Sequence, residues 1–494
     1  MLSQFALLIL GFFSQRAMNL YMGAELVGMN GVISNVINIL SVTELGISTA
    51  IVYHLYGALA RKDEAEIASL MNLYRKAYHV FAVLVFAAGM AVLPFIHLFM
   101  KNNSYSLSYI RVLYAMWLFR TVLSYLLTYR KSLLIADQKE YIASITGLIL
   151  NVVSYLAIIL LVTWEQNYLL ALGIGTVTEV VLNIWISWYV EQKYPFLRQR
   201  RKEKSTSSLT KRIVRDLKSL FISRISEKML YCTDNLIISG FIGVGTVGRY
   251  ANYCMITQAI SNILTILANT IQPTVGDYFT EKNRQRNYEI LRQLTFGFFC
   301  IASVVSVGLF SLITPFVRDI WLGPSYELGW GITVFCIVVL LVRIMGLPLS
   351  LVMGVTGLFE KEKNVGASSA LLNLIVSLAL VKPYGMAGVL LGTLLSYLLQ
   401  ILYRYIIYFR DFLEMPGEAL RYAQDIGEYL AVIAGEVLLM QKIVPLIYGA
   451  GGMLLFCVCF LLCIAIPLLL DLVIFGRGWR LQSIVTMVKG MRKA

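Results

Sequence analysis

Lys193–Lys218, KYPFLRQRRKEKSTSSLTKRIVRDLK, decides how this chain is read. It is the longest stretch without an apolar segment in 494 residues that are 58% hydrophobic, with mean hydropathy +0.73. Ten lysines and arginines face only two acids here, Glu203 and Asp216. The sequence on either side divides into two halves that echo each other. The stretch therefore reads as a cytoplasmic linker between two membrane-embedded lobes.

Outward from this linker, apolar runs follow one another on both sides, each near the roughly 20 residues that a spanning helix needs. Charged residues are 14% of the chain, against about 25% in soluble domains. A spanning barrel would instead show short alternating segments. The fold class is an all-α polytopic membrane protein with about fourteen spans. These lie at 2–22, 26–57, 75–99, 109–135, 141–163, 168–190, 220–242, 250–279, 290–314, 328–353, 364–381, 385–409, 426–447 and 450–475. No cleavable signal peptide is read at 2–22, which lacks a basic start and a small-residue cleavage site.

The net charge of +14 would suit nucleic acid in a soluble protein. Here the basic residues gather in alternate loops, which is the positive-inside pattern, so nucleic acid is excluded as a partner. Arg61, Lys139, the linker, Arg284, Lys361, Arg410 and Arg421 fall in the even-numbered loops, placing both termini in the cytoplasm. The expected organisation is a six-helix lobe over 1–190, the linker 191–219 and a second six-helix lobe over 220–409. Two further helices over 410–475 and a basic tail over 476–494 complete it.

The halves match at particular positions. Gly23-x4-Gly28 meets Gly243-x4-Gly248 at an offset of 220, which also brings Asn38 onto Gln258 and Ser41 onto Ser261. Arg120 meets Arg343 at an offset of 223. Six helices followed by six matching helices form a parallel repeat, related by an axis along the membrane normal.

Arg120 and Arg343 sit near mid-helix, where an arginine costs about 2.5–3.5 kcal/mol on insertion scales. They are either structurally paired, with Glu44 and Glu179 as candidate partners, or one cationic group per lobe for an anionic head group. The planar guanidinium fork suits phosphate. Arg16 also lies in the apolar zone. Arg224, Glu227, Lys228, Tyr231, Asp234 and Asn235 share one helical face, either as neutralised helix contact or as a cavity lining. Asn30, Ser34, Asn38, Ser41 and Glu44 form a similar stripe, answered by Gln258, Ser261, Asn262 and Thr265. Such residues are interhelical glue or receivers of sugar hydroxyls. Glu44 and Asp234 are the candidates for Na⁺ or H⁺ coupling.

Seven cysteines mostly inside apolar runs read as small buried hydrophobes, and no disulfide, metal or cofactor site is expected. Asp63, Glu64 and Glu66 read as a solvated loop helix. Pro273, Pro348 and Pro467 fall within spans, and Gly46, Gly89, Gly147 and Gly392 are expected to allow close helix packing. Catalytic motifs are not found, and the protein is expected not to be an enzyme.

Thr233-Asp234-Asn235-Leu236-Ile237-Ile238-Ser239-Gly240-Phe241-Ile242-Gly243, with Val247-Gly248-Arg249-Tyr250 and Pro273, resembles the start of the second half of polysaccharide flippases. So does Glu44-Leu45-Gly46-Ile47-Ser48-Thr49-Ala50 before Ala58-Leu59-Ala60-Arg61-Lys62-Asp63. The resemblance, essentially over the whole chain, is to the Wzx-type branch of the multidrug/oligosaccharidyl-lipid/polysaccharide exporter superfamily. It implies a MATE- and MurJ-like V-shaped pair of lobes with a cationic cavity, in a bacterial cytoplasmic membrane. It also implies export of an undecaprenyl-diphosphate-linked oligosaccharide, with membrane lipids around it and a polysaccharide polymerase and chain-length machinery as partners. The alternatives are a flippase for a peptidoglycan precursor or teichoic acid, a cation-coupled multidrug exporter, and a membrane polysaccharide polymerase or glycosyltransferase.

Overall fold

The computed structural model describes residues 2–41, 47–198, 228–229, 232–279, 283–358, 361, 363–449 and 451–476. Among them every regular element is helical. The first eight helices are α1 (Leu2–Ala17), α2 (Gly23–Leu40), α3 (Ile47–Ala60), α4 (Glu64–Val92), α5 (Leu107–Thr128), α6 (Lys131–Ala136), α7 (Glu140–Trp164) and α8 (Tyr168–Lys193). Next come α9 (232–241), α10 (Val244–Tyr278), α11 (Arg284–Pro315) and α12 (Trp330–Val355). The last four are α13 (Lys363–Tyr384), α14 (Met386–Ile406), α15 (Pro416–Tyr448) and α16 (Met453–Phe475). Eleven helical segments among the described residues are long and apolar enough to cross a membrane.

Local chemistry explains several starts. Asp63, Ser106, Asn167 and Asn283 cap α4, α5, α8 and α11, each accepting the backbone N–H three residues on. This satisfies a donor that the first helical turn leaves unpaired. One reading changes. Asp63, Glu64 and Glu66 open α4 itself, so the expected loop helix and the span at 75–99 are one continuous helix with a tighter last turn, Leu93–Phe99. The span read at 26–57 contains α2, up to Leu40, and α3, from Ile47, with residues 42–46 outside the described residues.

Two compact units divide the chain, Met1–Ala251 and Asn252–Ala494, with the boundary inside α10. In the first unit, α4 packs on α3 and α5, α5 on α8, and α7 on α8 and α1. Its closest crossing joins α2 to the start of α10. A Cβ on Gly28 would lie 2.0 Å from the Val244 carbonyl oxygen, and one on Gly248 would lie 1.7 Å from that of Ala24. The contact is reciprocal under the offset of 220 that relates Gly28 to Gly248 and Ala24 to Val244. Gly23, the first residue of α2, and Gly243, just before α10, both have positive φ, +81° and +146°, a region that glycine enters without penalty.

In the second unit, α11 packs against α12, α15 and α16, while α14 packs against α12 and α13. Phe296, Phe299, Tyr429 and Phe475 stack into one aromatic cluster among α11, α15 and α16. Gly89 and Gly392 are close contacts as expected, against Leu118 and Ser377, but Gly147 has open space around it.

Loops expected on one side of the membrane meet. Lys101 Nζ donates to the Phe241 carbonyl (2.9 Å), Asn102 to that of Ile242 (3.0 Å), and the Ser104 amide to Glu25 (2.9 Å). In the second unit Tyr448 reaches Asp319 (3.2 Å). These are all odd-numbered connections. Among the even-numbered ones, Tyr194 and Lys139 both bond Asp137, Arg284 pairs with Glu414 (2.6 Å), and Lys361 with Asp411 (2.8 Å).

Candidate functional site

Arg120 lies thirteen residues into α5, with its guanidinium 5.5 Å from the Trp117 ring, one turn earlier. Its Nε donates to Glu179 on α8 at 2.7 Å. The pair is partly buried, with 23% and 18% of the two side chains exposed. Trp117 donates in turn to Asn30 on α2 (3.1 Å). Gly175 on α8 packs beside the guanidinium and Ser154 on α7, since a Cβ there would lie 3.6 Å from Nη1 and 3.3 Å from Ser154 Oγ. Thus α2, α5, α7 and α8 converge on one polar spot. It holds unspent capacity, because Asn30 Nδ2 and Ser154 Oγ are buried without a hydrogen-bond partner. The bond to Glu179 uses only Nε, so the terminal nitrogens remain to meet a second anion. A planar cation with parallel donors beside a spare amide suits a phosphate oxygen pair.

Of the two candidate partners for the arginines, Glu179 pairs with Arg120. Glu44, Glu227 and Arg224 lie outside the described residues, as do most of the basic linker and the tail from 477. Lys228 Nζ donates to Asn38 Oδ1 at 3.3 Å, and Asn38 Nδ2 donates to Ser34 Oγ at 3.4 Å. Two of the polar stripes read from the sequence therefore touch. Asp234 is buried and Ser41 half-buried. Arg16 is exposed on α1, while Asn19 beside it is buried, donating to the Gln15 carbonyl (2.8 Å).

In the second unit Arg343 is half-buried in α12, its guanidinium 5.5 Å from the Tyr397 ring on α14. Exposed Gln258 donates to exposed Asn262 along α10 (2.9 Å), and Ser261 is buried. The stripe on this helix is thus partly self-satisfied.

Three acids in this unit escaped the sequence reading. Arg292 on α11 grips Asp425 on α15 through Nε (2.6 Å) and Nη2 (3.0 Å). Three turns further along both helices, Ser303 donates to Glu436 (2.6 Å). Asp471 on α16 is also buried. An acid inside an apolar helix was the signal available for each.

Outside the spans, Asp137 links the α6–α7 turn to the end of α8. Burial works against its ionisation, but hydrogen bonds from Lys139 and Tyr194 and the nearby lysine charges outweigh it and hold the carboxyl below its ordinary range. Burial, followed by the Asp137 contact, pushes the Tyr194 phenol up.

A family model described as "Polysaccharide biosynthesis protein" matches residues 1–279. No curated protein matches the sequence. Among solved structures, the fold resembles the lipid II flippase MurJ in an inward closed conformation, with a TM-score of 0.68 at 16% identity, covering 96% of this chain and 98% of that one. It also resembles an inward-facing multidrug resistance MATE transporter of the MOP superfamily, with a TM-score of 0.60 at 13% identity, over 83% and 94% of the two chains. The MATE multidrug transporter DinF-BH gives 0.57 at 15% identity, over 83% and 93%. At these identities the likeness establishes the fold.

Proposed function

Because the chain belongs to the polysaccharide biosynthesis protein family, we propose that it moves undecaprenyl-diphosphate-linked oligosaccharide repeat units from the inner to the outer face of the cytoplasmic membrane, by alternating access. The glycans serve capsule, exopolysaccharide or O-antigen synthesis, and the polymerase and chain-length machinery act on them afterwards. A diphosphate carrying sugars cannot cross about 30 Å of hydrocarbon unaided. The observation that carries this reading is Arg120, a cation held inside apolar helices with its terminal nitrogens unspent, beside the spare donor of Asn30. In this reading Arg120 and Arg343 meet the diphosphate, and Arg16, Arg224 and Lys228 add positive charge. Asn38, Ser41, Gln258, Ser261 and Asn262 meet sugar hydroxyls, and Glu44 and Asp234 are the coupling groups.

The test is surface-glycan export in cells lacking their own transporter. The wild-type chain restores export, whereas Arg120→Ala and Arg343→Ala reach the membrane but do not export. Normal export by both variants overturns the cationic site. The likeness to a lipid II flippase over 96% of the chain favours a second reading, transport of a peptidoglycan precursor. That reading requires the chain to rescue growth of cells depleted of their lipid II flippase. The glycan reading predicts no rescue.

A further inference from the structure

The last two helices carry polar chemistry that glycan transport does not use. Along α16, the buried residues Cys459, Cys463, Pro467, Asp471 and Phe475 recur every fourth position. This is one helical stripe, and it faces α11 and α15. Leu454, Leu461, Leu469 and Val473 on the rest of α16 are exposed, as lipid-facing residues are. Asp471 thus points into the bundle, only 4% exposed, and both of its carboxylate oxygens lack a hydrogen-bond partner.

Glu436 comes to the same place from α15. It is 3% exposed, accepts from Ser303 Oγ at 2.6 Å, and has its other oxygen unpartnered. The two carboxyl groups are close enough to feel each other's charge, and Ser303 lies near both. Cys300 and Ser303 on α11 and Glu436 on α15 are polar groups near Asp471, and Tyr429 on α15 packs on Phe475, one turn along α16. Arg292, one cation on this face of α11, is engaged by Asp425 beyond the cluster of Phe296, Phe299, Tyr429 and Phe475. Burying a carboxylate without a positive partner costs several kcal/mol, and two together repel. Three unsatisfied oxygens on two adjacent helices, with the Ser303 hydroxyl bonded to one of the carboxylates, are hard-cation ligands.

We propose that Glu436, Asp471 and Ser303 form a monovalent-cation site, occupied by a sodium ion or by a proton, in the α11–α15–α16 bundle. Its residues are other than Glu44 and Asp234. Its occupancy can be read without transport, so its failure and that of the glycan reading are separate results.

The experiment uses the purified full chain in detergent. Binding of radioactive sodium ion is measured against choline chloride at constant ionic strength, together with the thermal midpoint. The carboxylic-acid C=O stretch is followed by infrared difference spectroscopy as pH is raised without sodium. If sodium is the occupant, binding is saturable and Tm rises by about 2–5 °C at saturation, and Asp471→Asn and Glu436→Gln lose both effects. If the proton is the occupant, sodium does nothing, and the acid band disappears with rising pH in the wild type but is missing from Asp471→Asn. Should either variant fail to fold, the wild-type sodium and pH responses decide, with Ser303→Ala expected to weaken sodium binding about tenfold. A wild-type chain with neither saturable sodium binding nor a pH-sensitive acid band overturns the proposal.

Discussion

Substituting Gly28 by alanine tests the α2–α10 crossing, because the clash is with backbone. The new Cβ would sit 2.0 Å from the Val244 carbonyl oxygen and 2.9 Å from the Gly248 amide nitrogen. Neither atom is the end of a flexible side chain, so the helices must separate by about 1 Å or more, and overpacking of this kind costs about 1–3 kcal/mol. The rigid obstacle puts Gly28 at the upper end of that range. Alanine's better helix propensity returns about 1 kcal/mol, leaving a net loss of about 2 kcal/mol. Gly31, one turn along, is the control: its Cβ would meet only Val247 Cγ1 at 3.8 Å, an ordinary contact. Gly31→Ala should therefore be neutral or stabilising. Gly248→Ala should resemble Gly28→Ala, and the double variant should lose less than the sum, since one separation relieves both clashes. Unfolding in mixed micelles with increasing SDS measures all four. Equal stabilities for the Gly28 and Gly31 variants, or strict additivity of the Gly28 and Gly248 changes, refutes the reciprocal crossing.

Asp425→Ala should strand Arg292 and cost about 3 kcal/mol in the same assay, the low end for breaking a buried pair because a fifth of the Arg292 side chain is exposed. The double change Arg292→Met with Asp425→Leu should recover much of it. Asp137 has its folded-state carboxyl held down, so its contribution is present above the ordinary carboxylate range near pH ~4 and is lost as pH falls through the depressed value. Asp137→Asn should lower Tm at pH 7 and reduce the acid-dependent fall, read by thermal scans from pH 7 downward. Lys228→Met, which removes the donor to Asn38, should reduce glycan export while Lys228→Arg retains most of it.

The helical, membrane-spanning class was legible because hydropathy acts locally. Arg120 and its acidic partner were legible too: an intramembrane arginine demands a reason, and Glu179 was one of two candidates. The repeat was visible in Gly28 and Gly248, but not that these two positions meet, since contact between matched elements depends on symmetry rather than on local sequence. Arg292 with Asp425 and Ser303 with Glu436 join at the same separation of 133 residues. No local pattern reports a pairing at that distance, and it follows from α11 and α15 lying side by side. Three π-helical turns among the described residues, Met18–Met22, Phe316–Trp321 and Ile407–Leu413, were equally hidden, being choices of backbone hydrogen-bond register with no distinctive residue types.

The central claim is tested most directly by reconstitution into vesicles carrying a fluorescent undecaprenyl-diphosphate-linked oligosaccharide, with a glycan hydrolase added only outside. The account predicts that the purified chain makes the inner-leaflet pool accessible to the hydrolase, that Arg120→Ala does not, and that protein-free vesicles keep that pool protected. An inner pool that stays protected with the folded wild-type chain present, under both sodium and proton gradients, contradicts it.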